Sequence, residues 1–305
     1  MQMEVSAAGP LATGPAWELT LFDVAPLQLL VKAVSSVLEK NVCFRVVEEE
    51  GVFFLGVDGH DPGFSCCLSA RLQLDNARFA EGCSPDSSRF CVDPKHMLIA
   101  LDGSSNATGH VKIQALSNEA VIRVILFDPE RLSCQEVSEL VTFVHGDDEE
   151  LREFDFSFCV QLDLVKLKEL LRKARDSKAE RLSVTVKMKK YGATERSRIQ
   201  LSVKGEMLSL QRFSHEVTRT EDGSLYVRAD DDGKDDVNDQ EAWETRFDES
   251  FPLAKIDAFV RYLPNVVITS NIGPSLPLLI SHRLGGAHEL SHLRFFVAPL
   301  VESMD

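Results

Sequence analysis

Apolar residues recur at helical spacing in two stretches of the chain. Leu27, Leu30, Val31, Val34 and Leu38 make one stripe, and Leu164, Leu167, Leu170, Leu171 and Ala174 make the other. An extended segment leads into each. Trp17 to Phe22 precedes the first, and Pro26 suits the first turn of the helix that follows. Phe154, Phe156, Phe158 and Val160 alternate ahead of the second, as in a half-buried strand, with Asp163 placed to cap the helix. A shorter helical pattern comes later in each half, over Asp93–Leu101 and Leu253–Leu263, with short strands around it. Sliding one half over the other sets Leu30 on Leu170 and Lys32 on Arg172. The pattern predicts two similar α+β domains at 17–139 and 154–302, joined by a surface connector at 140–153. A leader at 1–16 and a tail at 303–305 flank them.

The offset between the second helices is larger than between the first. An acidic insertion at 229–244 accounts for the difference: Asp230, Asp231, Asp232, Asp235, Asp236, Asp239, Glu241 and Glu244 face only Lys234 there. Such a run is read as a solvated loop without chemistry of its own.

Net charge complicates any reading that involves nucleic acid. The 305 residues carry 33 Lys and Arg against 48 Asp and Glu, a formal charge of −15. An acidic protein approaches a polyanion only where its cations are gathered on one surface. The stripe after Asp163 leaves Lys166, Lys168, Arg172, Lys173, Arg175 and Lys178 on its polar side, opposed by Glu169 and Asp176. The other helices add Lys32, Lys40, Lys95, Lys255 and Arg261. Any surface helix carries some Lys and Arg, so charge alone does not decide the matter. Cations that touch phosphates would give salt-sensitive, sequence-independent binding.

No stretch approaches the length of a membrane helix, and residues 1–15 lack the basic start and apolar run of a secretory signal. Seven cysteines, at 43, 66, 67, 83, 91, 134 and 159, form no CxxC pair or metal-finger spacing. They are read as buried thiols of an intracellular, reducing compartment.

Several segments resemble the PCNA (proliferating cell nuclear antigen) family of DNA sliding clamps. The family closes with a strand reading aromatic-aromatic-aliphatic-Ala-Pro after His-Leu and a basic residue; this chain has His292-Leu293-Arg294-Phe295-Phe296-Val297-Ala298-Pro299. Ser275-Leu276-Pro277-Leu278-Leu279-Ile280 is similar to the family's Val-Pro-Leu strand, and Phe251-Pro252-Leu253 with Phe259, Arg261 and Tyr262 to the helix before it. Gly205-Glu206-Met207 and Val57-Asp58-Gly59-His60-Asp61 match two further turns more loosely.

The resemblance implies a non-enzymatic subunit with no cofactor or metal. It implies two clamp domains, with helices packed on antiparallel sheets, that close as a homotrimer into a pseudo-six-fold ring around double-stranded DNA. DNA polymerase and other replication and repair proteins would be tethered through short peptides, with an ATP-dependent clamp loader opening the ring. Localisation would be nuclear in a eukaryote, or at viral replication sites. The cations named above would face DNA. Val57, Phe64, Leu151, Pro277, Phe296, Ala298 and Pro299 would form the peptide pocket, although the connector is acidic where the family is aliphatic. Expected ring edges are Ala120–Phe127 and Leu208–Phe213, either of which could equally be interior. A subunit of the heterotrimeric DNA-damage checkpoint clamp and a viral-type processivity factor that forms no ring remain the alternatives.

Signals for catalysis are weak by comparison. Cys66-Cys67 near His60 and Asp61 falls within an expected strand, Phe64 to Leu72, where adjacent residues point to opposite faces. His282, His288 and His292 with Glu289 lack the spacing of a known metal motif, and no phosphate-binding glycine loop occurs.

Overall fold

A computed structural model describes residues 15–37, 42–47, 52–61, 64–79, 89–102, 110–116, 120–128, 133–142, 154–191, 194–204, 211–219, 225–228, 244–264, 267–284 and 291–300. Residues 1–14 of the expected leader, Lys40, Leu151 and nearly all of the acidic insertion lie outside these residues, whereas Pro15 and Ala16, expected in the leader, belong to the first strand.

The first half runs β1 (Pro15–Leu21), α1 (Ala25–Val37), β2 (Val42–Val47), β3 (Val52–Asp61), β4 (Phe64–Gln73), β5 (Asn76–Phe79), β6 (Arg89–Val92), α2 (Pro94–Asp102), β7 (His110–Leu116), β8 (Val121–Asp128) and β9 (Ser133–Val141). The second half repeats that order: β10 (Phe158–Asp163), α3 (Leu164–Asp176), β11 (Arg181–Tyr191), β12 (Thr194–Lys204), β13 (Gln211–Arg219), β14 (Leu225–Arg228), β15 (Glu244–Pro252), α4 (Leu253–Tyr262), β16 (Val267–Ile272), β17 (Leu278–Arg283) and β18 (His292–Val297).

Strand pairing repeats as well, except that β5 pairs with β1 whereas its counterpart β14 pairs with β13. Three antiparallel sheets form, ordered β5-β1-β7-β8-β9, β10-β16-β17-β18-β4-β3-β2-β6 and β14-β13-β12-β11-β15. The middle sheet crosses from one half to the other where β18 pairs with β4, Phe295 opposite Leu68 and Phe296 opposite Cys67.

The helices form where apolar stripes and caps coincide. Asp163 accepts hydrogen bonds from the backbone N–H of Val165 (2.8 Å) and Lys166 (3.4 Å) at the start of α3. Asp93 does the same for Lys95 (2.7 Å) and His96 (3.4 Å) ahead of α2. Leu27, Leu30, Val31 and Val34 of α1 are buried, as are Leu167, Leu170, Leu171 and Ala174 of α3, while Lys32 and Arg172 are exposed. Helix α1 packs against both α2 and α4, and α4 against α3, so the helices follow one another in the order α2-α1-α4-α3. One core runs beneath them, and Phe259 of α4 stacks on Phe295 of β18 with ring centroids 4.5 Å apart.

Several sequence expectations are corrected. The segment Ala120–Phe127 falls largely in β8, which lies between β7 and β9, so the edges of that sheet are β9 and β5 instead. Ile122, Val124, Leu126 and also Ile125 are buried, and apolar burial on both faces marks an interior strand. Likewise β13, which holds Gln211–Phe213, lies between β12 and β14; residues 208–210 are outside the described set. The expected connector begins later, since Leu140 and Val141 belong to β9. The strand expected from Phe154 begins only at Phe158.

The reading of all cysteines as buried thiols also fails. Cys43 and Cys91 are directly opposite on β2 and β6, with Cα atoms 4.0 Å apart, and are joined by a disulfide. Of the described cysteines outside this bond, Cys66 is buried, Cys67 half-buried and Cys159 exposed. No helix among the described residues is long and apolar enough to cross a membrane.

Candidate nucleic-acid interface and partner pocket

Helices α1 to α4 carry Lys32, Lys95, Lys166, Lys168, Arg172, Lys173, Arg175, Lys255 and Arg261. Their acidic residues are only Asp102, Glu169, Asp176 and Asp257. In a chain of net charge −15, this is a local reversal of sign. It concentrates on α3, whose apolar side is consumed by the core and whose last turn places Lys173 and Arg175 near the negative end of the helix dipole.

These cations do not act alike. Lys32, Lys95, Arg172 and Lys173 are exposed on their helices. Lys178 is exposed too, but α3 ends at Asp176 and Lys178 follows its cap in left-handed backbone, φ 53°. Lys166 is half-buried. Of the remaining four, three tie helices together and Arg261 pairs within its own helix. Lys168 Nζ donates to the carbonyl of Leu263 at the end of α4 (2.6 Å), and Lys255 Nζ to that of Val37 at the end of α1 (3.0 Å). Both satisfy carbonyls that a helix terminus leaves without an intrahelical donor. Burial lowers the pKa of Lys168 below its ordinary value of 10.5.

Arg175 of α3 and Arg261 of α4 converge on one carboxylate oxygen of Asp257, at 3.4 and 2.8 Å. Asp257 is buried at 6% exposure, whereas both arginine side chains are about half exposed, at 45% and 51%. Sequence reasoning missed Asp257, although its i,i+4 spacing to Arg261 was visible. The geometry thus leaves Lys32, Lys95, Arg172, Lys173 and Lys178 turned to solvent, commits Lys168, Arg175 and Lys255 to interhelical bonds, and pairs Arg261 with Asp257 within α4.

Phe296, one of the residues expected to form the peptide pocket, lies on the opposite side of the middle sheet from the helices. Along β18, Phe295 faces the helices and Phe296 the other way. Phe296 stands directly opposite Leu279 on β17 and Cys67 on β4. Phe296 (9% exposed) and Leu279 (6%) are buried, yet neither belongs to the main core. Pro277, Ala298 and Pro299 are half-buried nearby in the chain. Over Phe296 lies the ring of Phe154, centroids 5.9 Å apart and tilted by 44°, itself 5.9 Å from the ring of Phe156. The sequence reading made Phe154 a strand residue and did not place it here. Val57 stands opposite Leu68, and Phe64 opposite Asp61, in the β3–β4 ladder, but their side chains lie outside the described set, as does Leu151.

The histidine and cysteine clusters resolve into separate positions. Register sets His282 opposite Leu293 and Arg283 opposite His292, so the two histidines project to opposite faces. His282 is buried, which lowers its pKa, and its Nδ1 has no hydrogen-bond partner among the described residues. Cys66 is buried on the helix side, where burial raises its pKa; Cys67 turns to the other face with Phe296. No group of three metal-ligating side chains occurs among the described residues. Neither a family model nor a curated protein sequence matches the chain.

Proposed function

We propose that this chain is a sliding-clamp subunit of the PCNA kind: a non-enzymatic protein that encircles duplex DNA as a homotrimer and tethers DNA polymerase and other replication or repair proteins to it. One observation carries the reading. The helices, which follow one another as a single series, carry clustered cations in a chain whose overall charge is −15. A surface of that kind attracts phosphates without reading bases, while the acidic remainder keeps DNA from adhering elsewhere. Further support comes from the duplicated element order, the sheet that spans both halves and the C-terminal motif His292–Pro299. On this reading ring closure would use β9, whose Val137 and Val141 are exposed at 50% and 63%, since an unpaired apolar edge is a liability that closure removes. A separate ATP-dependent loader would open the ring.

Light scattering after size exclusion tests the assembly. A mass near three times 34.0 kDa supports the homotrimer. A monomer at micromolar concentration rejects it in favour of a checkpoint-type heterotrimer subunit or an open processivity factor. Duplex binding that weakens with salt and is equal for unrelated sequences supports the helix surface as the DNA side.

A further inference from the structure

We propose that Phe154 is a built-in plug of the Phe296 site: its ring occupies, within the chain, the place where an aromatic side chain of a partner peptide would dock. This inference rests on the reading of that face as a peptide site.

The argument begins with an imbalance in the sheet. Phe296 and Leu279 are large apolar residues on the face turned away from the helices, where the main core cannot cover them. An exposed pair of this kind would be an adhesive patch. Both are nonetheless buried, and the ring that meets Phe296 is Phe154. Phe154 is held by no ladder: the chain is irregular from 154 to 157, and strand pairing begins at Phe158, opposite Ile272. A half-buried ring on an irregular segment can leave its site without breaking a sheet hydrogen bond. Next to it, Phe156 provides a second ring that keeps the segment apolar when the first moves.

The occupant that fits is therefore a peptide with an aromatic residue that stacks on Phe296 in the tilted geometry Phe154 now uses. It must compete with an intramolecular contact. A tilted aromatic pair contributes about 0.5–1.5 kcal/mol beyond area burial. Removing the competitor should tighten peptide binding roughly two- to ten-fold, because apparent affinity scales with the open fraction.

The test compares the full chain with Phe154→Ala and with Phe154→Leu, a milder change that guards against misfolding. Two probes are used. The first is an apolar fluorescent dye, 8-anilinonaphthalene-1-sulfonate, whose emission reports an opened apolar site whatever its natural partner. The second is a synthetic peptide with one aliphatic and two aromatic residues within two helical turns, followed by anisotropy. The expected result is brighter dye emission and tighter peptide binding for Phe154→Ala, an intermediate effect for Phe154→Leu, and loss of both signals when Phe296→Ala is added. Unchanged dye emission in folded Phe154→Ala overturns the plug, whatever the peptide does. Brighter emission without peptide binding to any variant keeps the plug and overturns the peptide-site reading instead. Weaker peptide binding by Phe154→Ala makes Phe154 part of the binding surface and overturns the inference.

Discussion

Replacing Asp257 with asparagine should move stability and DNA affinity in opposite directions. The carboxylate is buried and holds Arg175 from α3 and Arg261 from its own helix, α4. At an effective dielectric near 20, each ion pair at such distances has a gross attraction of roughly 5–6 kcal/mol. Both guanidinium groups are about half exposed, so water and salt remove most of that, and about 0.5–1 kcal/mol survives per pair. Asparagine keeps the shape and one oxygen acceptor, which preserves packing. The expected loss is therefore about 1–2 kcal/mol, read as a lower urea midpoint at unchanged slope. The alanine variant should lose more, because two cations would then face a vacated site.

Once released, Arg175 and Arg261 become available to phosphates. Each added phosphate contact steepens the dependence of log K on log[salt] by about 0.9 on B-form DNA. Asp257→Asn should steepen it by up to about 1.8 units, measured by anisotropy on a duplex across a salt series. Unchanged stability would refute the account of Asp257 as an interhelical tie. Reduced stability with an unchanged salt slope would keep the tie but remove Arg175 and Arg261 from the DNA-facing surface.

Two further outcomes follow from the core. The Cys43–Cys91 disulfide closes a loop with a sequence separation of 48, for which the chain-entropy relation gives about 4 kcal/mol at 25 °C. Reductant should lower the urea midpoint of the native chain but not that of a Cys43→Ser/Cys91→Ser double variant; alkylation of both residues in unreduced native protein would refute the bond. Burial lowers the pKa of His282 from its ordinary 6.5, so the unfolded chain takes up a proton first as pH falls. Stability should be full above pH 6.5 and decline below it, by at most about 1.4 kcal/mol per pH unit. His282→Leu should flatten urea midpoints between pH 7 and 5, a window above the range where Glu18 titrates; an unaltered slope would refute the assignment.

What could be read in the sequence was local. Leu167, Leu170, Leu171 and Ala174 share one face because a helix returns every 3.6 residues, and Asp163 caps because its position precedes that stripe. Strand partners have no such local signal. Nothing near Cys43 announces Cys91, since their contact depends on the β2–β6 register. Apolar content marked Ala120–Phe127 as sticky, but the difference between an edge and an interior strand lies in the neighbours that β8 acquires. The cations were identifiable as charges, not as partners. Lys168 and Lys255 reach carbonyls at the ends of other helices, a use visible only after α1, α3 and α4 are packed.

That division bears on the proposed function through a single strand. In β18, consecutive residues serve opposite faces: Phe295 stacks on Phe259 beneath the helices, and Phe296 lies under Phe154 on the far side. Phe295 therefore supports the helix layer that would meet DNA, and Phe296 the site that would meet partners. Because side chains alternate in a strand, a one-residue change of register between β18 and β4 would exchange the two. The ladder resists this with apolar pairs that match only in the observed register, Phe295 with Leu68 and Leu293 with Ala70. The junction between the halves thus fixes both proposed faces at once. It also leaves them physically separate, so the proposed partner face could change residue by residue while the cationic helices keep their places.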